Sequence, residues 1–185
     1  MKEIRLHGRG GHGTVTAAEI IVWTQVQQGN FGTAVPYFGF EKKGGPVSAF
    51  VRLDDRPVRQ KTQVYHPDCI VVIDPTLMRS VNVFNGAKAG STLVINYKNS
   101  LPPEMIPGQI ETIAYVDATK IALDTIGRDI PNTVMLGAFA RATGWVDIEL
   151  MKQRVGEIFG EKNITACEKG YKETKVIKAK EVTVS

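Results

Sequence analysis

Residues 4–20 read Ile-Arg-Leu-His-Gly-Arg-Gly-Gly-His-Gly-Thr-Val-Thr-Ala-Ala-Glu-Ile. A short apolar alternation runs into Gly8, Gly10, Gly11 and Gly13, and a helical pattern follows at once. The order is strand, glycine turn, helix start. Such a turn lets backbone N–H groups approach an anion, and the helix end adds partial positive charge. The spacing Gly8-x-Gly10-x-x-Gly13 matches the dinucleotide fingerprint. That fingerprint also asks for a ribose-binding carboxylate about 20 residues further on. Gln27, Gln28, Gly29, Asn30, Phe31 and Gly32 stand there instead, and the next carboxylate after the helix is Glu41. The pattern therefore favours an anion or nucleotide contact over a bound NAD or FAD.

The chain has 185 residues, of which 43% are hydrophobic, enough for one domain with a real core. Its net charge of +4 is a mild excess, without the aromatic-studded basic runs of a nucleic-acid binder. Phosphate-bearing small ligands or an acidic protein partner suit that balance better. Two cysteines, Cys69 and Cys167, lie far apart in apolar settings and read as buried free thiols. A cluster of the [4Fe–4S] type takes four cysteines, so this chain does not hold one by itself. No apolar run is long enough to cross a bilayer. Met1-Lys2-Glu3-Ile4-Arg5 passes straight into a strand, with no secretory signal, and the expected location is the cytoplasm.

The first strand is expected at about Lys2–His7 and the first helix from about Gly11 to Gln28. Phe31 to Gly45, rich in glycine and carrying Pro36, reads as an extended loop. Pro46–Leu53 alternates as a strand, and Asp54-Asp55-Arg56-Pro57 turns towards a short strand near Val58, giving an inserted hairpin. Cys69–Ile73 is a continuous apolar run, the pattern of a central parallel strand buried on both faces. A helix from Pro75 to about Phe84, strands at Thr92–Asn96 and Thr112–Val116, and a helix capped by Asp117 follow. Pro131–Thr143, a segment capped by Asp147, and a last segment from about Lys162 read as helices. The fold class is an α/β layered domain: a mostly parallel sheet, flanking helices, an inserted hairpin and C-terminal helices. Residues 1–185 form one domain, with a helical extension at about 147–185. Ligands of such sheets sit beyond the C-terminal strand ends, where Gly8–Gly13, Asp74-Pro75 and Asn96–Ser100 would gather.

Each motif has a plain alternative. The glycine loop either binds phosphate or only packs a tight turn. Lys42-Lys43-Gly44-Gly45 either brings charge to that phosphate or is a solvated turn. His12, at a helix start where positive charge is disfavoured, suits hydrogen bonding or packing better than general-base work. His7, His12 and His66 lack metal-ligand spacing. Asp74 reads first as a helix cap. Phe31, Tyr37, Phe38 and Phe40 give the glycine-rich segment an apolar character that suits an intersubunit surface.

Three segments carry a resemblance. Residues 4–13 (IRLHGRGGHG), residues 36–47 (PYFGFEKKGGPV) and residues 132–138 (NTVMLGA) resemble the gamma subunit of 2-oxoacid:ferredoxin oxidoreductases, of the pyruvate and 2-oxoisovalerate type. The likeness spans nearly the whole chain. It implies a multisubunit enzyme of alpha, beta, gamma and delta-type subunits that decarboxylates a 2-oxoacid oxidatively and forms an acyl-coenzyme A. It implies thiamine diphosphate with Mg and [4Fe–4S] clusters in the partner subunits, and ferredoxin or another acceptor for the electrons. It further implies that this chain lies near the coenzyme A entrance and is not catalytic alone. Carried over by position, Gly10, Gly11, His12 and Gly13 would sit by coenzyme A phosphates, and Lys43 would supply a counter-charge.

Overall fold

Ile4 and Leu6 leave the first strand on one side, Arg5 and His7 on the other, and all four are buried. Both faces of the sheet are therefore covered, by different means. The computed structural model describes residues 1–38 and 44–182, with Phe38 as backbone only. Lys43, with Phe40 and Lys42, lies outside the described residues.

Seven strands form one sheet: β1 Lys2–Arg9, β2 Phe31–Phe38, β3 Pro46–Asp54, β4 Cys69–Val72, β5 Ser91–Asn96, β6 Ile110–Val116 and β7 Lys175–Lys178. Their order is β2-β3-β1-β4-β5-β6-β7. β1, β4, β5 and β6 are mutually parallel, and β2 shares their direction because it is antiparallel to β3, itself antiparallel to β1. β3 and β7 run the other way, so the mostly parallel sheet expected from the sequence is present.

Five helices follow the expected places: α1 Thr14–Gln27, α2 Ala118–Ile126, α3 Asn132–Thr143, α4 Ile148–Phe159 and α5 Glu161–Glu173. Asp117 caps α2 through the Lys120 amide, and Asp147 caps α4 through the amides of Glu149 and Leu150. All five pack on the face that carries Ile4, Leu6, Val51, Val71, Val94 and Ala114. The opposite face, with Ile70, Val72, Leu93, Ile95 and Ile113, is covered by irregular chain through Val83 and Leu101. Two sheet arginines hold that cover down. Arg5 donates to the carbonyls of Val64, Val83 and Asn85. Arg52 pairs with Glu3 at 3.0 Å and donates to the carbonyls of Thr62 and Gln63.

Four expectations need correction. Residues 31–38 are not loop but the edge strand β2, and they, not the chain near Val58, form the hairpin with β3, from Phe31 opposite Asp54 to Phe38 opposite Val47. Gly32 and Pro36 hid the alternation of Thr33, Val35 and Tyr37. An edge strand tolerates Pro36 because its missing N–H faces outwards. Gly32 leaves room for α1, since a Cβ there would crowd Val22. The helix expected from Pro75 to Phe84 is a 3₁₀ turn of Pro75–Arg79, and the Val83 and Asn85 carbonyls beyond it go to Arg5. The first helix starts at Thr14, because Gly11 and Gly13 have φ of +91° and +75°. The helical C-terminal segment ends at Glu173, and Lys175–Val176-Ile177-Lys178 adds β7 to the sheet.

At the centre of the helical layer, α3 is buried from Asn132 through Ala140. It lies so close to α5 that a methyl group on Gly137 would land on the Cys167 carbonyl, and one on Gly170 on the Val134 carbonyl. Burial pushes the Cys167 thiol up to about 12, and it serves as a packing residue. Gly137→Ala should cost about 2–3 kcal/mol by forcing the helices apart. Gly108→Ala, with no neighbour within 4 Å, should be near neutral in the same urea unfolding measurement.

Candidate functional site at the glycine turn

β1 delivers its last residue, Arg9, to the C-terminal edge of the sheet, and the chain turns through Gly10–Gly13 into α1. Close packing sets the turn. A Cβ on Gly8 would strike the Thr14 hydroxyl, and one on Gly13 would strike the Asn132 side chain at the start of α3. Gly10 donates its N–H to the Gly45 carbonyl at 3.0 Å, and His12 donates to the Arg9 carbonyl at 3.1 Å. Among the described residues, the amides of Gly11, Gly13, Thr14, Val15 and Thr16 have no acceptor. α1 has no side-chain cap and no acidic residue in its first turn. Its N-terminal donors and dipole thus face a cavity of about 340 Å³, lined by Arg9, Gly10, Gly11, Gly13, Thr14 and Thr16. The Thr14 hydroxyl is buried without a hydrogen-bond partner among the described residues.

Of the residues singled out from the sequence, Gly10, Gly11 and Gly13 line this cavity, and His12 does not. Gly10 has already committed its amide to Gly45. Lys43 falls outside the described residues, though its neighbour Gly44 is tied to the site. The Arg9 guanidinium joins three segments there. It donates from Nε to Asp74 Oδ2 at 2.6 Å, from Nη2 to Thr76 Oγ1 at 2.9 Å and from Nη1 to the Gly44 carbonyl at 3.3 Å. Asp74 also caps the 3₁₀ turn, accepting from the Thr76 amide at 2.9 Å. Partial burial would raise the Asp74 carboxyl, but hydrogen bonds from Thr76 and the Arg9 charge outweigh it and hold it below the usual range. The Asn96 side chain is taken up by structure: it accepts from the Ala118 amide at 2.9 Å and donates to the Ile73 carbonyl at 3.1 Å.

Sequence reasoning missed two contacts. Arg9 and Asp74 are 65 residues apart, and only their shared position at strand ends hints that they meet. The Gly13–Asn132 contact had a fainter signal, an Asn just after Pro131 at a helix start.

Behind the turn, His7 lies on β1 between Arg5 and Ser48. Arg5 Nε donates to His7 Nε2 at 3.1 Å, so Nε2 is the unprotonated nitrogen and Nδ1 carries the proton towards Ser48 Oγ at 3.4 Å. Burial, with the Arg5 charge adding to it, lowers the His7 pKa from 6.5 to about 3. The unfolded chain therefore binds a proton that the folded one refuses between those values, and stability falls as pH drops from 6.5 towards 3. Asp74, with its lowered pKa, adds to the loss at the acid end. His7→Gln, which keeps an acceptor for Arg5, should flatten this acid dependence. Urea midpoints followed from neutral pH down to about pH 4 should fall less steeply than in the native chain.

The profile of the family described as pyruvate ferredoxin/flavodoxin oxidoreductase matches residues 3–173. The chain is 45% identical over 181 residues to the gamma subunit of the NADH-dependent phenylglyoxylate dehydrogenase of Aromatoleum evansii, covering 95% of each. It is 44% identical over 182 residues to the common gamma subunit of the pyruvate/ketoisovalerate oxidoreductases of Thermococcus kodakarensis, covering 95% of this chain and 98% of that one. The crystal structure of pyruvate oxidoreductase subunit PORC from Thermotoga maritima aligns with a TM-score of 0.83 at 35% identity, over 95% of this chain and 97% of that one. A 2-oxoglutarate:ferredoxin oxidoreductase from Magnetococcus marinus shares the fold, with a TM-score of 0.76 at 21% identity, and there it makes up 31% of a longer chain. Profile, full-length relatives and backbone agree: the chain belongs to the pyruvate ferredoxin/flavodoxin oxidoreductase family, among its gamma subunits.

Proposed function

We propose that this gamma chain holds the phosphates of coenzyme A at the turn Gly10–Gly13 and helps its complex assemble. The complex would oxidise a 2-oxoacid to an acyl-coenzyme A. Coenzyme A, when bound, supplies the thiol that receives the acyl group. What this chain supplies is charge and direction. Amides at the α1 start meet phosphate oxygens, Arg9 fixes the turn against Asp74 and Gly44, and Lys43 adds a counter-charge. The observation that carries the reading is the set of open amides at the uncapped start of α1, facing a cavity with no carboxylate among the described residues of its lining.

Thiamine diphosphate, Mg and the iron–sulfur clusters belong in this reading to alpha, beta and delta-type partners. The two cysteines of this chain are both buried, and a four-cysteine cluster does not fit them. Electrons would leave through the partners to ferredoxin or NAD. Two buried free thiols suit a reducing cytoplasm.

Choice of 2-oxoacid would rest with the partners too. Relatives at 43–46% identity come from pyruvate, ketoisovalerate and phenylglyoxylate enzymes, and one gamma subunit is common to two of them. Those 2-oxoacids differ in the group beyond the oxoacid carbons, whereas an acyl acceptor would be shared.

A second reading, in which the turn only packs, draws on the tight contacts of Gly8 and Gly13. Gly11 separates the two once backbone strain is held constant: nothing lies within 4 Å of a Cβ there, but its φ of +91° strains any side chain, so Gly11→Asp is read against Gly11→Ala, which carries the same strain without the charge. In the intact complex, Gly11→Asp should raise the apparent KM for coenzyme A about tenfold or more, equivalent to about 1.4 kcal/mol of lost binding. The KM for the 2-oxoacid, kcat at saturating coenzyme A and subunit stoichiometry should hold. Lys43→Ala should raise the coenzyme A requirement without abolishing assembly. Unchanged coenzyme A kinetics in both variants would leave only the packing role.

A further inference from the structure

The strand, glycine turn and helix at residues 4–20 follow the dinucleotide pattern, but the sheet around them departs from it. In a dinucleotide-binding unit, a carboxylate about 20 residues beyond the glycines holds the hydroxyls of a ribose. Here the strand that follows α1 is β2, which is parallel to β1 but separated from it by β3. A group at the end of β2 therefore stands two strand spacings, roughly 10 Å, from β1. The true neighbour on that side, β3, runs backwards, so its first residue, Pro46, lies opposite Arg9.

The groups around the turn are the reverse of a hydroxyl-binding set, because the acceptors are engaged and the donors are open. The Gly45 carbonyl takes the Gly10 amide, and the Gly44 carbonyl takes Arg9 Nη1. Asp74, just beyond the end of β4 on the other side of β1, takes Arg9 Nε on Oδ2. Its Oδ1 takes the amide and the hydroxyl of Thr76. Among the described residues, the amides of Gly11, Gly13, Thr14, Val15 and Thr16 have no acceptor. Thr14, only 2% exposed, lines the cavity and carries a hydroxyl that also lacks a partner there. The guanidinium of Arg9 has five N–H donors. Its bonds to Asp74, Thr76 and Gly44 leave one N–H on each terminal nitrogen without an acceptor among the described residues. Arg9 lines the same cavity, with its plane fixed by those three partners. A bare ribose offers hydroxyls that need acceptors. A phosphate monoester offers three acceptor oxygens and close to two negative charges, which is what these donors match.

We propose that the turn receives a phosphate carried on a ribose, and that Arg9 is the residue that selects it. In dinucleotide units an arginine takes over from the carboxylate when the ribose is phosphorylated. Arg9 stands beside the turn with the adjoining carboxylate already turned to holding it. The ligand class is therefore an adenosine nucleotide phosphorylated on its ribose. In coenzyme A that group is the 3′-phosphate, which NAD and dephospho-coenzyme A lack. Asp74 and Thr76 are positioning residues that act through Arg9. The inference rests on the coenzyme A reading and narrows it to one phosphate of that molecule.

Dephospho-coenzyme A keeps the thiol and the pyrophosphate and lacks only the ribose phosphate. The intact native complex should favour coenzyme A over it about tenfold or more in kcat/KM, the worth of charge-assisted hydrogen bonds to one phosphate. Arg9→Gln should cut that preference about tenfold, and Arg9→Lys, which keeps the charge and loses the fork, should fall between. Equal losses on both substrates in Arg9→Gln, with the preference intact, would overturn the inference and leave the coenzyme A reading standing. Gly11→Asp kinetics identical to those of Gly11→Ala would instead strike the reading itself. A native complex that uses both substrates equally well would also overturn the inference. Where Arg9→Gln does not assemble, the native complex decides by amide hydrogen exchange. Adenosine 3′,5′-bisphosphate should slow exchange across residues 10–16, and adenosine 5′-monophosphate at the same concentration should not. Equal protection by the two nucleotides, or protection by neither, would overturn the proposal.

Discussion

Arg5 carries a full charge into a face of the sheet that no helix covers. A buried guanidinium without a carboxylate is costly unless every direction around it is hydrogen-bonded. Three carbonyls, from Val64, Val83 and Asn85, and the His7 ring meet it here. Those carbonyls belong to two irregular stretches that would otherwise have little reason to lie on the sheet. The guanidinium thus replaces a helix as the fastening of that layer, with Arg52 doing the same for Thr62 and Gln63. Burial keeps His7 neutral and the Arg5 charge adds to that effect, two residues ahead of the turn where an anion is proposed. This polar network lies on the face of the sheet opposite α1, along the strand that leads into the glycine turn.

The layout divides into a rigid helical side and a fastened loop side. On the helical side α3 is pressed against α5 by Gly137 and Gly170, with the two backbones close enough to exclude a methyl group. α3 in turn presents Asn132 to Gly13. On the loop side Arg9 ties Gly44, Asp74 and Thr76 together. The turn Gly10–Gly13 sits where these two systems meet, so its geometry is set from both directions before any ligand arrives. Under the proposed reading, a site held this way would position a substrate for chemistry carried out elsewhere.

Much of this was legible in the sequence because local signals agreed with the fold. The strand–glycine–helix order at residues 4–20, the apolar run Cys69–Ile73 and the caps Asp117 and Asp147 each named an element that formed. β2 was not legible, since Gly32 and Pro36 are loop residues by propensity and become strand residues only because β3 pairs with them at an edge. The helix expected beyond Pro75 stops after one 3₁₀ turn, and the Val83 and Asn85 carbonyls further along go to a distant arginine instead. At the site, the glycines were visible and their obligations were not. That Gly10 spends its amide on Gly45, and that Asn132 closes on Gly13, are contacts across 35 and 119 residues of chain that no local pattern encodes.

Pro36 has one more effect. The outermost strand of an open sheet is a template on which another unpaired strand can zip up, and a chain waiting to meet its siblings is most vulnerable to that accident. A ring nitrogen with no hydrogen interrupts the row of donors such zipping needs, midway along β2. At the far border, β7 is four residues long and begins and ends in lysine. Both borders of the sheet thus discourage fibre-like stacking, so freshly made copies can remain separate until their proper neighbours arrive.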